Sequence, residues 1–157
     1  MSTHFEDSKA VMVDVSHKPE TARMAVAEAV VWLPPEVLAA LQGGVGKGDA
    51  LFVAELAGIM AAKRTSELIP LCHPLPLTSV KVTGVVTPPQ VVFTATCKTT
   101  AQTGVEMEAL TAAGVAALTL YDMLKAAGKG IVIRELRLLS KEGGKSGPWT
   151  AAPTSDR

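Results

Sequence analysis

Charged residues stand at both ends of one long apolar segment, where they could carry acid–base chemistry. Glu106 and Glu108 precede the segment, Asp122 and Lys125 follow it, and residues 109–120 contain no charged side chain. This composition predicts a single buried helix over about 104–127. A carboxylate near the end of a helix opposes the macrodipole, so Asp122 indicates either a surface ion pair with Lys125 or a functional group.

Glu106 has two explanations that the sequence leaves open. The run Thr103, Gly104, Val105, Glu106 matches a capping box, in which a glutamate reaches back to the backbone of the cap residue. Glu106 can therefore be a helix cap or a catalytic carboxylate. Capping does not explain Glu108, which lies beyond the capping turn.

The spacing of these charges limits how they could work together. Glu108 and Asp122 are 14 residues apart, which places them roughly 20 Å from each other on nearly the same face of a helix. One small substrate cannot easily reach both from one copy. We therefore expect an oligomer in which the start of one helix meets the end of another across a two-fold axis.

A second dense segment, KRTSELIPLCHPL over residues 63–75, contains Cys72 and His73. Its prolines predict a rigid, non-helical path, and in extended backbone the two side chains would point to opposite sides, which disfavours a nucleophilic pair. His73 could be a structural histidine or an acid, base or donor near neutral pH. The three histidines lack the spacing of zinc ligands, so no metal site is predicted.

Lysines stand beside glycines in three predicted loops, at residues 46–48, 128–130 and 141–147. Glycine lets the backbone approach an anion closely and lysine supplies charge, so together these loops favour a polyphosphate ligand, although each alone is also typical of a solvated loop. The last resembles a Walker motif only superficially, because Leu139 stands where that motif has its first glycine.

Composition excludes several classes of protein. The chain has 157 residues with 15 basic and 15 acidic side chains, so no overall field attracts nucleic acid or an anionic membrane. Two unpaired-looking cysteines and the absence of a basic, apolar leader in this sequence predict a cytoplasmic protein in a reducing compartment. The apolar stretch over 109–121 is too short to cross a bilayer and should be buried.

Residues 23–33 are ambiguous, because their alanines suit a helix, their Val-Val-Trp end suits a strand, and the period does not decide between the two. The other elements follow from periodicity and from proline and glycine at their ends. We predict a strand over 23–33, a short helix over 36–42, and a helix from Asp49 whose apolar face contains Phe52, Leu56, Ile59 and Met60 and which Ile69 and Pro70 stop. A hairpin over 79–98 turns at 87–90, and a last strand covers 131–139. This order predicts an α+β, ferredoxin-like antiparallel sheet with helices on one face. Residues 1–11 are expected to be flexible, 12–147 to form one catalytic domain and 148–157 to be a tail.

Three motifs together resemble the MoaC family of molybdenum cofactor biosynthesis. They are KRTSELIPLCHPL over 63–75, GVEMEALTAAGVAALTLYDMLKA over 104–126 and GKSG over 144–147, which follow MVDVS over 12–16. The resemblance implies a cyclic pyranopterin monophosphate synthase, a lyase that converts 3′,8-cyclo-7,8-dihydro-GTP to cyclic pyranopterin monophosphate and releases pyrophosphate. It also implies a homohexamer, built as a trimer of dimers with sites at the dimer interface, and no cofactor.

The resemblance also implies the site residues. The catalytic set is Lys47, His73, Glu106, Glu108, Asp122 and Lys125. The substrate-binding set is Leu71, Cys72, His73, Met107, Glu108, Arg23, Lys141 and Lys145. The basic members of the second set would neutralise a departing pyrophosphate.

Two residues depart from the pattern: Gly114 lies in mid-helix, at a cost of roughly 1 kcal/mol relative to alanine, and Glu55 stands where a basic or neutral residue is common. Three other functions stay open. They are a ligand-binding regulatory domain without turnover, a different nucleotide lyase, and a nucleic-acid module, which the few aromatic residues and zero net charge disfavour.

Overall fold

The computed structural model describes residues 4–44 and 49–154. In chain order its elements are strands β1 (Phe5–Glu6), β2 (Lys9–Ala10) and β3 (Thr21–Trp32), helices α1 (Pro35–Gly43), α2 (Ala50–Lys63) and α3 (Thr65–Leu68), strands β4 (Leu77–Thr87) and β5 (Gln90–Ala101), helix α4 (Glu106–Leu124) with a 3₁₀ turn (Lys125–Ala127), and strands β6 (Val132–Glu142) and β7 (Trp149–Thr150).

Five strands form one antiparallel sheet in the order β4-β5-β3-β6-β7, and β1 and β2 form a separate hairpin. On β3 the alternate residues Ala25, Ala27, Ala29 and Val31 are fully buried in the core, and helices α2 and α4 pack on that face. The predicted α+β fold, with an antiparallel sheet and helices packed against it, is confirmed. The predicted strand over 23–33, the hairpin over 79–98 and the first helix are also confirmed.

Helices α2 and α4 meet through small side chains. A Cβ added to Gly58 of α2 would lie 2.8 Å from the carbonyl oxygen of Ala112 in α4, so only glycine allows this close crossing. The buried residues of α2 within the crossing are Ala54, Gly58, Ala61 and Ala62.

The prediction that the apolar face of α2 packs on the core is wrong. Phe52, Leu56 and Met60 are 62%, 46% and 51% exposed, and Ile59 is only partly buried. They share a face, as their spacing predicts, but close contact between the two backbones requires that the alanine face of α2 point inward. The large apolar side chains therefore point outward.

The predicted end of α2 at Ile69 and Pro70 is also wrong. The helix ends at Lys63, Arg64 leaves helical geometry, and the four-residue helix α3 follows. The hydroxyl of Thr65 donates to the carbonyl oxygens of Ala61 at 3.3 Å and Ala62 at 3.0 Å, which satisfies the last carbonyls of α2.

Helix α4 forms the centre of the core. Its alanines 109, 112, 113, 116 and 117 are fully buried, which confirms the predicted buried helix. Among residues 4–44 and 49–154, the segment Glu106–Ala127 is the one helix long and apolar enough to cross a membrane, but core helices of soluble proteins pass the same test. Of the two explanations left open for Glu106, the structure does not support the capping box, since Val105 is the cap residue, no side chain caps it, and the helix begins at Glu106.

The two departures from the family pattern have packing roles. Glu55 accepts a hydrogen bond from the backbone N–H of Gly84 at 2.8 Å, which ties α2 to β4. A Cβ on Gly114 would lie 3.3 Å from a methyl group of Leu136, so glycine lets α4 approach β6 closely.

Both ends of the chain contain strands that the sequence did not predict. The hairpin of β1 and β2 lies within the segment expected to be flexible. Within the expected C-terminal tail, β7 pairs Trp149 with Lys141 and Thr150 with Ser140.

Candidate active site

Two adjoining cavities lie beside the first turn of α4. One has a volume of about 410 Å³ and the other about 150 Å³, and Gly104 and Glu106 line both. Most of the site residues implied by the family resemblance line one cavity or the other. The structure thus brings the start of α4, the end of β6 and the loop before β4 to one place.

The larger cavity is cationic. Arg23, Lys141 and Lys145, which the family resemblance implies as substrate-binding residues, line it together with Lys18, and Glu106 is the one carboxylate among its described lining residues. Four positive groups around an open space of this size favour a polyanionic ligand.

Glycines shape the wall of this cationic cavity. After β6, Gly143 and Gly144 have φ of +89° and +81°, a conformation that other residues rarely adopt. A Cβ on Gly143 would collide with the carbonyl oxygen of Ala22, and one on Gly144 would collide with the guanidinium of Arg23. These glycines let the loop lie directly against the strand that positions Arg23.

Two contacts hold the side chains of Arg23 and Lys141 in place. The Nε of Arg23 donates to the carbonyl oxygen of Ala101 at 3.0 Å, which holds the guanidinium beside the cavity. The Nζ of Lys141 lies 3.9 Å from Oε1 of Glu106, and both side chains are partly buried. Glu106, instead of capping the helix, therefore pairs across the cavity with a lysine.

The smaller cavity contains acid–base groups. Its described lining residues are His4, Leu71, Cys72, His73, Leu75, Thr103, Gly104, Glu106, Met107 and Glu108. Glu108 is only 4% exposed, and burial, with a smaller effect of the nearby Glu106, raises its pKa from the usual 4.5 to about 7. A carboxyl group with such a pKa can both donate and accept a proton near neutral pH.

His73 is oriented by the N-terminal segment. Its Nε2 lies 2.7 Å from the carbonyl oxygen of Val13. Because a carbonyl only accepts, Nε2 donates the proton, and in the neutral ring Nδ1 is left as an acceptor. The histidine is therefore held in one tautomer.

Cys72 and His73 line the same cavity, although extended backbone would direct their side chains to opposite sides. Burial, with a smaller contribution from Glu108, raises the pKa of the Cys72 thiol. The thiolate is thus disfavoured near neutral pH. The raised pKa, rather than the direction of the side chain, therefore argues against Cys72 as a nucleophile.

Asp122 and Lys125 lie at the far end of α4. Oδ1 of Asp122 and Nζ of Lys125 are 2.8 Å apart, and the two side chains are 65% and 61% exposed. Hydrogen bonding to Asp122 raises the pKa of Lys125. Neither residue is among the described lining residues of the two cavities.

Lys47 lies outside the described residues, so the structure does not place it. Within residues 4–44 and 49–154, no group of three or more histidine, cysteine, aspartate or glutamate side chains could hold a metal ion.

Sequence reasoning missed several residues of the site. Lys18, Thr21 and Ser146 line the cationic cavity, and His4 lines the smaller one. Lys18 precedes Arg23 by five residues, and this spacing of two basic residues around the start of a strand was the available signal. His4 had none, because the hairpin that positions it could not be recognised.

Known proteins resemble the chain along nearly its whole length. The model of the MoaC family matches residues 12–144. A cyclic pyranopterin monophosphate synthase of Rhodospirillum rubrum is 58% identical over 154 residues, which cover 96% of this chain and 93% of that protein. One of Cereibacter sphaeroides is 59% identical over 154 residues, which cover 96% of this chain and 97% of that protein. The chain therefore belongs to the MoaC family.

Proposed function

We propose that the protein is a cyclic pyranopterin monophosphate synthase, a lyase of molybdenum cofactor biosynthesis. It converts 3′,8-cyclo-7,8-dihydro-GTP to cyclic pyranopterin monophosphate and releases pyrophosphate. The observation that carries the proposal is the junction of the two cavities at Glu106, one cationic and one lined by proton-transfer groups. In a substrate with a triphosphate and a fused ring system, the triphosphate would complement the cationic cavity and the ring system would complement the cavity lined by proton-transfer groups.

The cationic cavity suits the phosphate chemistry. Closing the cyclic phosphate requires a ribose oxygen to attack the α-phosphorus in line while pyrophosphate leaves. Arg23, Lys141, Lys145 and Lys18 supply charge at the place where that leaving group would develop negative charge. In this assignment Glu106 holds Lys141 and competes with the phosphates for it.

The smaller cavity suits the ring chemistry. Opening and rebuilding the five-membered ring of the purine needs several proton transfers. Glu108, with its pKa near 7, and His73, with a free Nδ1 in its neutral form, are placed to exchange protons with a bound ring. Met107, Leu71 and Cys72 would contact the ring on the same wall.

Asp122 and Lys125 enter the proposal through a second copy of the chain. The pair is exposed and about one helix length from the cavities, so a single copy does not bring it to the substrate. Apolar side chains around that end of α4 are exposed as well, with Leu118 at 59%, Tyr121 at 39% and Val132 at 44%. Such a surface supports a self-interface, and the hexamer of three dimers implied by the family resemblance is our proposed assembly.

The proposal also includes Lys47 as the remaining catalytic residue implied by the resemblance. It includes a cytoplasmic location as well. The proposed conversion requires no redox cofactor.

The test is incubation of the purified oligomer with the cyclised dihydro-GTP intermediate. Release of pyrophosphate and appearance of the fluorescent oxidised pterin product, with equal stoichiometry, are expected. Tight binding without pyrophosphate release, in protein of confirmed assembly, would instead favour a ligand-binding regulatory domain.

A further inference from the structure

The N-terminal hairpin reaches the acid–base cavity. His4, which immediately precedes β1, lines the smaller cavity together with Glu106 and Glu108, about a hundred residues later in the chain. The sequence assigned no function to this segment.

The hairpin has the geometry of a defined structural element. Its backbone pairs residue 5 with 10 and residue 6 with 9, and the N–H of Val11 donates to the carbonyl oxygen of His4 at 2.7 Å. Asp7 and Ser8 in the turn have φ of 48° and 64°, the sign that a two-residue hairpin turn of type I′ requires at both positions. The backbone of His4 is thus fixed by its partner across the hairpin.

The same segment contacts the site at a second point. Three residues after the end of β2, the carbonyl oxygen of Val13 accepts the hydrogen bond from Nε2 of His73. The segment from His4 to Val13 is therefore attached to the cavity wall at one end and borders the cavity at the other.

His4 faces the ring part of the site. It is not among the described lining residues of the cationic cavity, and the cavity that it does line contains two carboxyl groups, which disfavour a phosphate there. The side chain of His4 is exposed. A ring bound in the cavity would cover it, and the imidazole could then donate a hydrogen bond to the ring or accept one from it.

We propose that His4 is a substrate-contacting residue that forms a hydrogen bond to the ring system of the substrate. The inference rests on the proposed function for the identity of that ring. It assigns the N-terminal hairpin to the active site.

The test compares His4→Ala, His4→Gln and two controls for binding and turnover. Lys9→Ala changes an exposed residue of the same hairpin, and Lys145→Ala changes the cationic cavity. For binding, each substitution is made in the Asp122→Asn background, in which no conversion of the nucleotide is expected, and titration calorimetry there gives the Kd of the cyclised dihydro-GTP and, separately, of inorganic pyrophosphate. Circular dichroism checks that each variant is folded.

His4→Ala should raise the Kd for the cyclised nucleotide about 5- to 10-fold, the range expected for loss of one hydrogen bond, and leave the Kd for pyrophosphate unchanged. His4→Gln should recover most of the affinity, and Lys9→Ala should behave as wild type. Lys145→Ala should weaken both ligands.

The inference is overturned if His4→Ala binds the nucleotide as wild type does, if it weakens pyrophosphate equally, if glutamine is no better than alanine, or if Lys9→Ala has the same effect. Failure of the proposed function looks different: wild type would bind the nucleotide without releasing pyrophosphate, and the comparison of Kd values would still decide the role of His4. A wild type that binds neither ligand overturns both.

Discussion

Both ends of α4 have a carboxyl group, but the carboxyl group at the start of the helix is buried and the one at its end is exposed to solvent. At its start Glu108 is 4% exposed, and its pKa is raised to about 7 by burial. At its end Asp122 is 65% exposed, and its ion pair with Lys125 faces solvent. A buried carboxyl group is already adapted to proton transfer, whereas an exposed pair becomes so only when another surface covers it.

This difference separates an end of the helix that lines cavities within one copy from an end that only a second copy could cover. A single copy contains both the cationic cavity and the smaller acid–base cavity at the start of α4. In our proposal the end of α4 acts at the cavities of a second copy, where desolvation would strengthen the interaction of Asp122 and Lys125 with the substrate.

The largest effect is expected from a substitution at the exposed end of α4. Lys125→Ala should lower kcat by about 10³-fold, because a general acid or base contributes 10²- to 10⁴-fold, while pyrophosphate binding stays unchanged. Steady-state kinetics and calorimetry measure both.

Lys81→Ala is the matched control, since Lys81 is an exposed lysine of β4, far in sequence from the end of α4, and lies outside the described lining of both cavities. A kcat for Lys125→Ala within threefold of that control would remove the far end of α4 from the mechanism.

The next prediction tests the buried end. The pKa of Glu108 is raised in the folded protein, so the folded state holds the proton more tightly, and stability falls as pH rises from about 4.5 to about 7. Glu108→Gln removes the cost of burying the charge. The variant should be more stable than wild type at pH 8 by up to about 3 kcal/mol, and the difference should vanish near pH 4.5.

Urea unfolding at several pH values measures this effect. Glu67→Gln, at an exposed position, serves as control and should change the free energy of unfolding by less than about 0.5 kcal/mol at each pH. Equal stability of Glu108→Gln and wild type across the whole range would mean that Glu108 is not desolvated in the assembled protein.

Lys18→Ala should give the smallest effect of the three. Lys18 is one of four cations around the larger cavity, so its loss should raise the KM for the cyclised nucleotide and the Kd for pyrophosphate about tenfold and leave kcat nearly unchanged.

Raising the salt concentration should reduce the difference between Lys18→Ala and wild type, because dissolved ions screen the attraction between the partly exposed Lys18 and the phosphates. Lys63→Ala, at an exposed position in α2 outside the described cavity lining, should bind as wild type does. Pyrophosphate binding by Lys18→Ala that matches this control would show that the lysine does not contact phosphate.

The sequence predicted most of the fold because the hairpin strands alternate, α4 is a long uncharged apolar segment, and proline and glycine mark the ends of elements. It failed at α2, where the spacing of Phe52, Leu56 and Met60 correctly indicates one face but cannot say what covers it. The crossing with α4 at Gly58 decides that the small residues point inward.

The site was only partly predictable for a similar reason. The motifs contain most of the residues around the two cavities, but Glu106 was compatible with a capping box until the structure placed its carboxylate beside Lys141. Lys18 and His4 belong to no motif and reach the site through turns and a hairpin whose positions depend on tertiary contacts.

The central claim is that one active site uses the start of α4 from one copy and the end of α4 from another. Mixed oligomers of Glu108→Ala and Asp122→Asn subunits, each inactive alone, test it most directly. If each dimer has two such shared sites, half of randomly mixed dimers regain one intact site, and activity should reach about a quarter of wild type. No activity above either parent, in oligomers that native mass spectrometry shows to be mixed, would contradict the account.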